Sequence, residues 1–298
     1  MMPILYSTLF LLTFGLSACA PQVEVEHSPK TVEPDSKVKE YTFAIHPLHN
    51  PTHLFEIFNP LIQHLNSHIP EAHFKLEASR DYASFDEKLR DKSVDFALPN
   101  PYQTLIAIDH QYDVIAKMGD DFNFKGIILV RKDSQIKTPK DLKGKSVSYP
   151  APTALAATML PQEYLQGHGL NINTDIENKY VGSQESAIIN VFLGTTAAGA
   201  TFPPAWNAFS DKYPALKEQL EIAWETKTLP NNSVVAKKEV PNSLAVKVQT
   251  TLVNMHYSLE GQEILKKMYL SKFEYATNET YQPVSEFIDH FNKNIRPL

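Results

Sequence analysis

The sequence predicts an α/β protein of two lobes, each a mixed, mostly parallel sheet flanked by helices. Short β-prone runs alternate with apolar residues at helical spacing along the body, and the alternation comes as two successive sets. A βαβα rhythm of this kind favours parallel strands with helices on both faces. The chain has 298 residues, 43% hydrophobic and 21% charged, which suffices for two cores of about 100–150 residues each.

The first set opens with Tyr41-Thr42-Phe43-Ala44-Ile45, a strand that ends at His46-Pro47. Leu54, Phe55, Ile57, Phe58, Leu61, Ile62 and Leu65 then recur at helical spacing. His73 to Ala78 alternates like a strand, Asp81 to Leu89 reads as a short helix, and Val94 to Ala97 is a strand stopped by Pro99-Asn100-Pro101. Tyr102 to Ile108 resumes as helix, Asp113 to Met118 as strand, and Gly126 to Arg131 is the most apolar strand of the body. The second set begins with a helical turn at Thr138 to Leu142 and the strand Lys145 to Tyr149, closed by Pro150 and Pro152. Residues 154–166 form an Ala-rich helix in which Pro161 either bends the axis or marks a first turn. Lys179 to Val181 is strand, Gln184 to Phe192 helix, and Ala197 to Phe202 and Leu220 to Trp224 are strands. Ser233 to Ala236 then precedes three C-terminal helices. Lobe 1 is expected over 41–132 and 229–298 and lobe 2 over 133–228, joined by two crossing segments.

Residues 1–18 carry no charge and contain the apolar run Leu9 to Phe14, too short to span a bilayer. The run leads to Leu16-Ser17-Ala18-Cys19, which resembles a bacterial lipobox whose cysteine is diacylated after cleavage. The alternative is a plain signal peptide in which Cys19 falls by chance. Cys19 is the only cysteine, which excludes a disulfide framework and a multi-cysteine zinc site. Residues 19–40 are polar, mixed in charge and free of glycine, and read as a lipidated flexible tether. The expected location is the periplasmic or extracellular face, membrane-anchored, with the outer membrane open because Ala20 and Pro21 follow the cysteine.

The motifs of several enzyme classes are missing: there is no Gly-x-Ser-x-Gly, His-Glu-x-x-His or Gly-x-Gly-x-x-Gly. Gly144-Lys145-Ser146 is not a phosphate loop, because the glycine it requires five residues earlier is Pro139. A net charge of −6 argues against nucleic acid as the main partner. His46, His49 and His53 cluster in sequence, but Pro47 and Pro51 interrupt the spacing and no carboxylate is interleaved. Solvated loop histidines are the simpler reading than a metal site. Trp206 and Trp224 read as core, with Trp206 alternatively lining a cleft after the bend at Phe202-Pro203-Pro204.

From Tyr41 to about Phe287 the order of segments resembles the phosphonate-binding family of extracytoplasmic solute receptors. The landmarks are Phe43-Ala44-Ile45 leading through Pro47 to Asn59-Pro60-Leu61, then Asp81-Tyr82 before a helix, and Lys92-Ser93-Val94-Asp95-Phe96-Ala97. Lys132-Asp133-Ser134, Asp141 to Lys145, and Gly182-Ser183 before a helix follow in the same order. The resemblance implies a two-lobe periplasmic-binding-protein fold of type II. It also implies a monomer that is not an enzyme and needs no cofactor or metal. Such a receptor closes on a small ligand, an oxyanion or small organic solute, and hands it to an ABC permease or a sensor domain.

In that family a Ser-Thr-Ser-Gly turn opens the second-lobe helix and donates to phosphonate oxygens, as helix N-terminal amides and hydroxyls can. At that place this chain has Ala154-Leu155-Ala156-Ala157, the family's His after Gly-Ser is Gln184, and the Asp after the Gly194 turn is Ala197. The candidate ligand-binding residues are therefore Tyr82, Asn100, Tyr102, Thr153, Ala154, Leu155, Ala156, Gln184 and Thr201. Thr153 either caps the helix or also donates to an anion. Tyr82 and Tyr102 either line the site or are half-buried aromatics with solvated hydroxyls. The lost hydroxyls point to a specificity diverged from phosphonate. Transport, partnership with a sensor kinase or cyclase, and a structural envelope lipoprotein with a degenerate cleft are the three roles compatible with this pattern.

Overall fold

The computed structural model describes residues 38–298. Cys19, the signal segment and nearly all of the tether lie outside them. Two sheets organise the chain. The first has the order β11-β4-β10-β3-β1-β2, built from Lys39–Ile45 (β1), Ala72–Glu77 (β2), Phe96–Leu98 (β3), Tyr112–Met118 (β4), Ser233–Lys237 (β10) and Phe273–Tyr275 (β11). The second has the order β7-β6-β8-β5-β9, built from Lys125–Arg131 (β5), Lys145–Tyr149 (β6), Ile176–Tyr180 (β7), Ala198–Thr201 (β8) and Leu220–Thr228 (β9). β1 runs parallel to β2 and β3, and β6 runs parallel to β7 and β8. The sheets are mixed because β10 pairs antiparallel with β3 and β4, and β5 antiparallel with β8 and β9.

The position of β5 corrects the expected boundary at residue 132. Ile127, Ile128, Leu129 and Val130 are fully buried in the second sheet, between β8 and β9. A strand this apolar is covered on both faces, and its antiparallel partners lie later in the chain, which a reading by local rhythm does not connect. The crossings are therefore the segment after β4, including the turn Asp121–Asn123, and the return between β9 and β10 at 229–232. β1 starts at Lys39, two residues inside the expected tether, and β11 was not expected at all. It is three residues long and paired at an edge, too short for an alternating pattern to show.

Helix starts follow their sequence signals. Asn50 caps Pro51–His68 (α1), Asp81 caps Tyr82–Arg90 (α2), Asn100 caps Pro101–Asp109 (α3) and Ser183 caps Gln184–Phe192 (α5), each side chain accepting a backbone N–H of the first turn. The Ala-rich stretch is not one regular helix. A π-helical turn, Leu155–Met159, runs into Leu160–Gly167 (α4), with Pro161 in the first turn of the regular part. Pro203–Lys212 (α6), Pro214–Lys217 (α7), Asn242–Asn254 (α8), Leu259–Lys267 (α9) and Gln282–Asn294 (α10) complete the set. Among the described residues, no helix is long and apolar enough to cross a membrane.

Trp206 packs in the second-lobe core with its ring 5.9 Å from that of Phe209, and Trp224 is half-buried against the main core. Packing in this lobe is tight at Gly199 in β8. A Cβ there would lie 2.5 Å from Val191 and 2.7 Å from the Ala187 carbonyl on α5, and 2.6 Å from the Ser148 hydroxyl on β6. Gly199→Ala is expected to destabilise the protein by about 1–3 kcal/mol through overpacking. Thermal denaturation reads this as a lower Tm, and an unchanged Tm would show that α5 can move off the sheet freely.

Candidate functional site

A small cavity, with about 20 Å³ of space open to the centre of a water molecule, lies where the two lobes meet. Tyr82, Asn100, Ala154, Leu155, Ala156 and Gln184 line it as the sequence led one to expect; His46, Phe124, Ala157, Phe202 and Asn232 join them. Tyr102, Thr153 and Thr201 do not line it. Tyr102 packs half-buried against the core, and Thr153 contributes only its carbonyl to the closure. The fully buried Thr201 hydroxyl donates to Gln184 Oε1 at 2.8 Å, so Thr201 orients a lining residue from behind.

On the second lobe, the π-helical turn carries the wall. Its first amides, at Leu155, Ala156 and Ala157, have no intrahelical acceptor, as at any helix start. The turn is fixed from below: Thr158 donates its hydroxyl to the Ala151 carbonyl at 2.7 Å, and the Thr158 and Met159 amides share the Ala154 carbonyl at 2.8 and 3.2 Å. Gly126 in β5 permits this position, since a Cβ there would lie 2.5 Å from the Ala156 carbonyl and 2.7 Å from the Pro161 ring. Across the cleft, the Tyr82 ring packs in one buried cluster with Ala151, Ala154 and Ala157. Of these three alanines only Ala154 stands where the family's turn carries a hydroxyl; with Ala151 and Ala157 it forms an apolar seat for Tyr82. Burial keeps the Tyr82 phenol neutral, lifting it well above its usual range, against a weaker opposing hydrogen bond from Gln184.

On the first lobe, Asn100 is fully engaged. Its Oδ1 accepts the Gln103 amide at 3.0 Å, Gln103 Oε1 accepts the Asn100 amide at 3.2 Å, and Asn100 Nδ2 donates across the cleft to the Thr153 carbonyl at 3.2 Å. Gln103 passes the network on, donating to Asp86 at 2.7 Å. His46 follows β1 and is buried rather than solvated. Its Nδ1 lies 2.8 Å from the Leu98 carbonyl, and burial, only partly opposed by that bond, brings the imidazole down to about 4. Among the described residues, no cluster of three His, Cys, Asp or Glu side chains could hold a metal. His49 and His53 instead pack with their rings tilted by 52° and centroids 4.8 Å apart. None of the lining side chains is cationic.

Side-chain clasps hold the lobes together around this space. Asn50 Nδ2 donates to Glu185 at 3.0 Å and the Tyr269 hydroxyl to Asp211 at 2.5 Å. At the C-terminal tail, Arg296 donates to the Pro152 carbonyl at 2.6 Å and to Gln162 at 2.9 Å. Phe124 and Asn232 were missed because they lie in the two crossing segments, which carry neither periodicity nor motif.

Comparison with known proteins gives the following. Residues 43–281 match the family model described as ABC transporter, phosphonate, periplasmic substrate-binding protein. A probable ABC transporter phosphite binding protein, PhnD1 of Prochlorococcus marinus (strain MIT 9301), is 23% identical over 193 residues, 60% of this chain; the match spans 65% of that relative's length. The structure of PhnD1 from the same organism in complex with methylphosphonate aligns with a TM-score of 0.78 at 20% identity, covering 85% of this chain and 98% of that one. A binding protein component of an ABC phosphonate transporter from Pseudomonas aeruginosa aligns at 0.76 and 16% identity, covering 86% and 87%. The likeness to these solved structures is one of fold: two α/β lobes around a cleft.

Asp86 gives a test of the site's floor. It is 5% exposed, and burial raises its carboxyl to about 6 against the Gln103 hydrogen bond. The unfolded chain ionises first, so this residue lowers stability as pH rises from its unfolded value through about 6. Asp86→Asn keeps the acceptor for Gln103 and removes the loss. The variant is expected to be more stable than wild type at pH 7 by roughly 2–3 kcal/mol, with the difference vanishing below about pH 3.5. Melting curves across pH check this; equal stability at pH 7 would mean that the buried carboxylate is already compensated.

Proposed function

Because the chain belongs to the phosphonate family of ABC transporter periplasmic substrate-binding proteins, we propose that it captures a small oxyanion of at most one negative charge between its lobes and delivers it to a permease. The observation that carries this is the cavity's polarity. Leu155, Ala156 and Ala157, whose amides open a helical turn without intrahelical acceptors, belong to a lining without a single cationic side chain, and the lining residues His46 and Tyr82 are held neutral by burial. Helix-start amides suit an anion. Two desolvated charges, without the turn's hydroxyls or a cation to meet them, are a heavier load than this wall carries. The replacement of the family's hydroxyl turn by alanines therefore supports a specificity moved away from the phosphonate dianion. We also read Cys19 as the lipid attachment site that holds the receptor outside the cytoplasm.

A thermal-shift panel of phosphite, methylphosphonate, sulfate and neutral metabolites at millimolar concentration tests the capture. A ligand at about 100 times its Kd stabilises by about 2.7 kcal/mol, which reads as a rise of several degrees. Ala156→Asp sets a carboxylate against the amides and is expected to abolish that rise. Stabilisation by neutral metabolites alone, or a response that survives Ala156→Asp, would displace the anion reading. For the anchor, Cys19→Ser is expected to release the protein from the membrane fraction; retention there would show that Cys19 is not the attachment point.

A further inference from the structure

Resting on the anion reading above, we infer that His46 Nε2 is a hydrogen-bond acceptor for a proton on the bound solute, so the site takes a singly protonated oxyacid in preference to an equally charged anion without a proton. The geometry assigns the tautomer. Nδ1 is 2.8 Å from the Leu98 carbonyl, and the His46 amide donates to the same oxygen at 3.2 Å. A carbonyl only accepts, so Nδ1 carries the ring's proton and Nε2 carries the lone pair. The ring is 3% exposed, held edge-on between Tyr82 and Phe85 with centroids 6.0 and 6.3 Å away. Among the described residues its only hydrogen bond is the one from Nδ1, which leaves Nε2 for the cavity that the ring lines.

The surroundings keep the ring uncharged. His49 is brought down to about 3 by burial first and by His53 and His46 next, while burial holds the Tyr82 phenol protonated. A second acceptor belongs to the same side: the Asn232 side-chain oxygen is buried and has no partner, while its Nδ2 reaches Met118 Sδ at 3.5 Å. The cavity's polarity is thus divided. The second lobe presents amide donors, and the first lobe with the return crossing presents the acceptors His46 Nε2 and Asn232 Oδ1 beside the Tyr82 O–H. An anion whose oxygens are all acceptors satisfies one wall and leaves a buried lone pair facing another on the opposite wall.

Methylphosphonate and methanesulfonate separate these cases, since the hydrogen phosphonate and the sulfonate have the same shape and charge but only the former carries an O–H. Calorimetric titration of the purified full chain is made at mildly acidic pH, above the protonation of His46 and below the second ionisation of the phosphonate. Wild type is expected to prefer methylphosphonate by roughly 10- to 100-fold. His46→Phe is expected to bring methylphosphonate down to the sulfonate's level, and His46→Gln, which keeps an acceptor, to restore part of the preference. Equal binding of the two by wild type overturns the acceptor role while leaving the anion reading in place. A preference that survives in folded His46→Phe overturns the assignment to His46. Binding of neither compound removes the anion reading and this inference with it. Should His46→Phe not fold, the wild-type ratio decides alone.

Discussion

A helix must begin with amides that its own turns cannot satisfy, and here that beginning is buried between two lobes. The arrangement of the cleft follows from that constraint. Gly126 has no side chain because the Ala156 carbonyl and the Pro161 ring occupy the space where one would sit. Thr158 ties the turn to Ala151 from beneath, and the π-helical winding places three successive residues, Leu155 to Ala157, on the cavity wall. The alanines then do two things at once. They remove hydroxyl donors from the wall, and they let the Tyr82 ring close down on it. Loss of polar chemistry and gain of apolar closure coincide at Ala154, the one replaced position that packs against Tyr82.

Charge in this region is set by desolvation more than by pairing. His46 and His49 are depressed and Tyr82 is raised, with burial the largest cause for each, so all three are neutral near pH 7. The network beneath, from Asn100 through Gln103 to Asp86, consists of neutral amides ending on a carboxyl whose ionisation burial opposes. A solute entering such a space meets fixed dipoles rather than counterions. Dipoles are directional, which makes the positions of donors and acceptors more decisive for selection than total charge.

Much of this was legible in the residues. Strand and helix alternation gave the two-sheet architecture, and Asn50, Asp81, Asn100 and Ser183 announced their helices through side-chain chemistry that acts within a few residues. What could not be read depends on partners distant in sequence. β5 sits in the second sheet because β8 and β9, some seventy to ninety-five residues later, flank it, and local pattern cannot say which sheet an apolar strand joins. His46 looks like a loop residue beside Pro47 until the Leu98 carbonyl and the Phe85 ring close over it. Thr201, the last residue of β8, stood among the candidate site residues, yet its hydroxyl turns to Gln184. Phe124 and Asn232 occupy crossings whose course is fixed only once both sheets exist.

The tail clasp at Arg296 differs in kind from the two crossings. The crossings are covalent and persist in every state of the molecule, whereas Arg296 grips Pro152 and Gln162 with hydrogen bonds that water could replace. Together with Asn50–Glu185, Tyr269–Asp211 and Asn100–Thr153, it adds hydrogen bonds between the lobes that exist only when they are closed. A bound solute adds its own contacts to these, and the two contributions multiply as populations. The contrast between open and closed receptor, as any downstream protein perceives it, is correspondingly set in part by contacts outside the cavity.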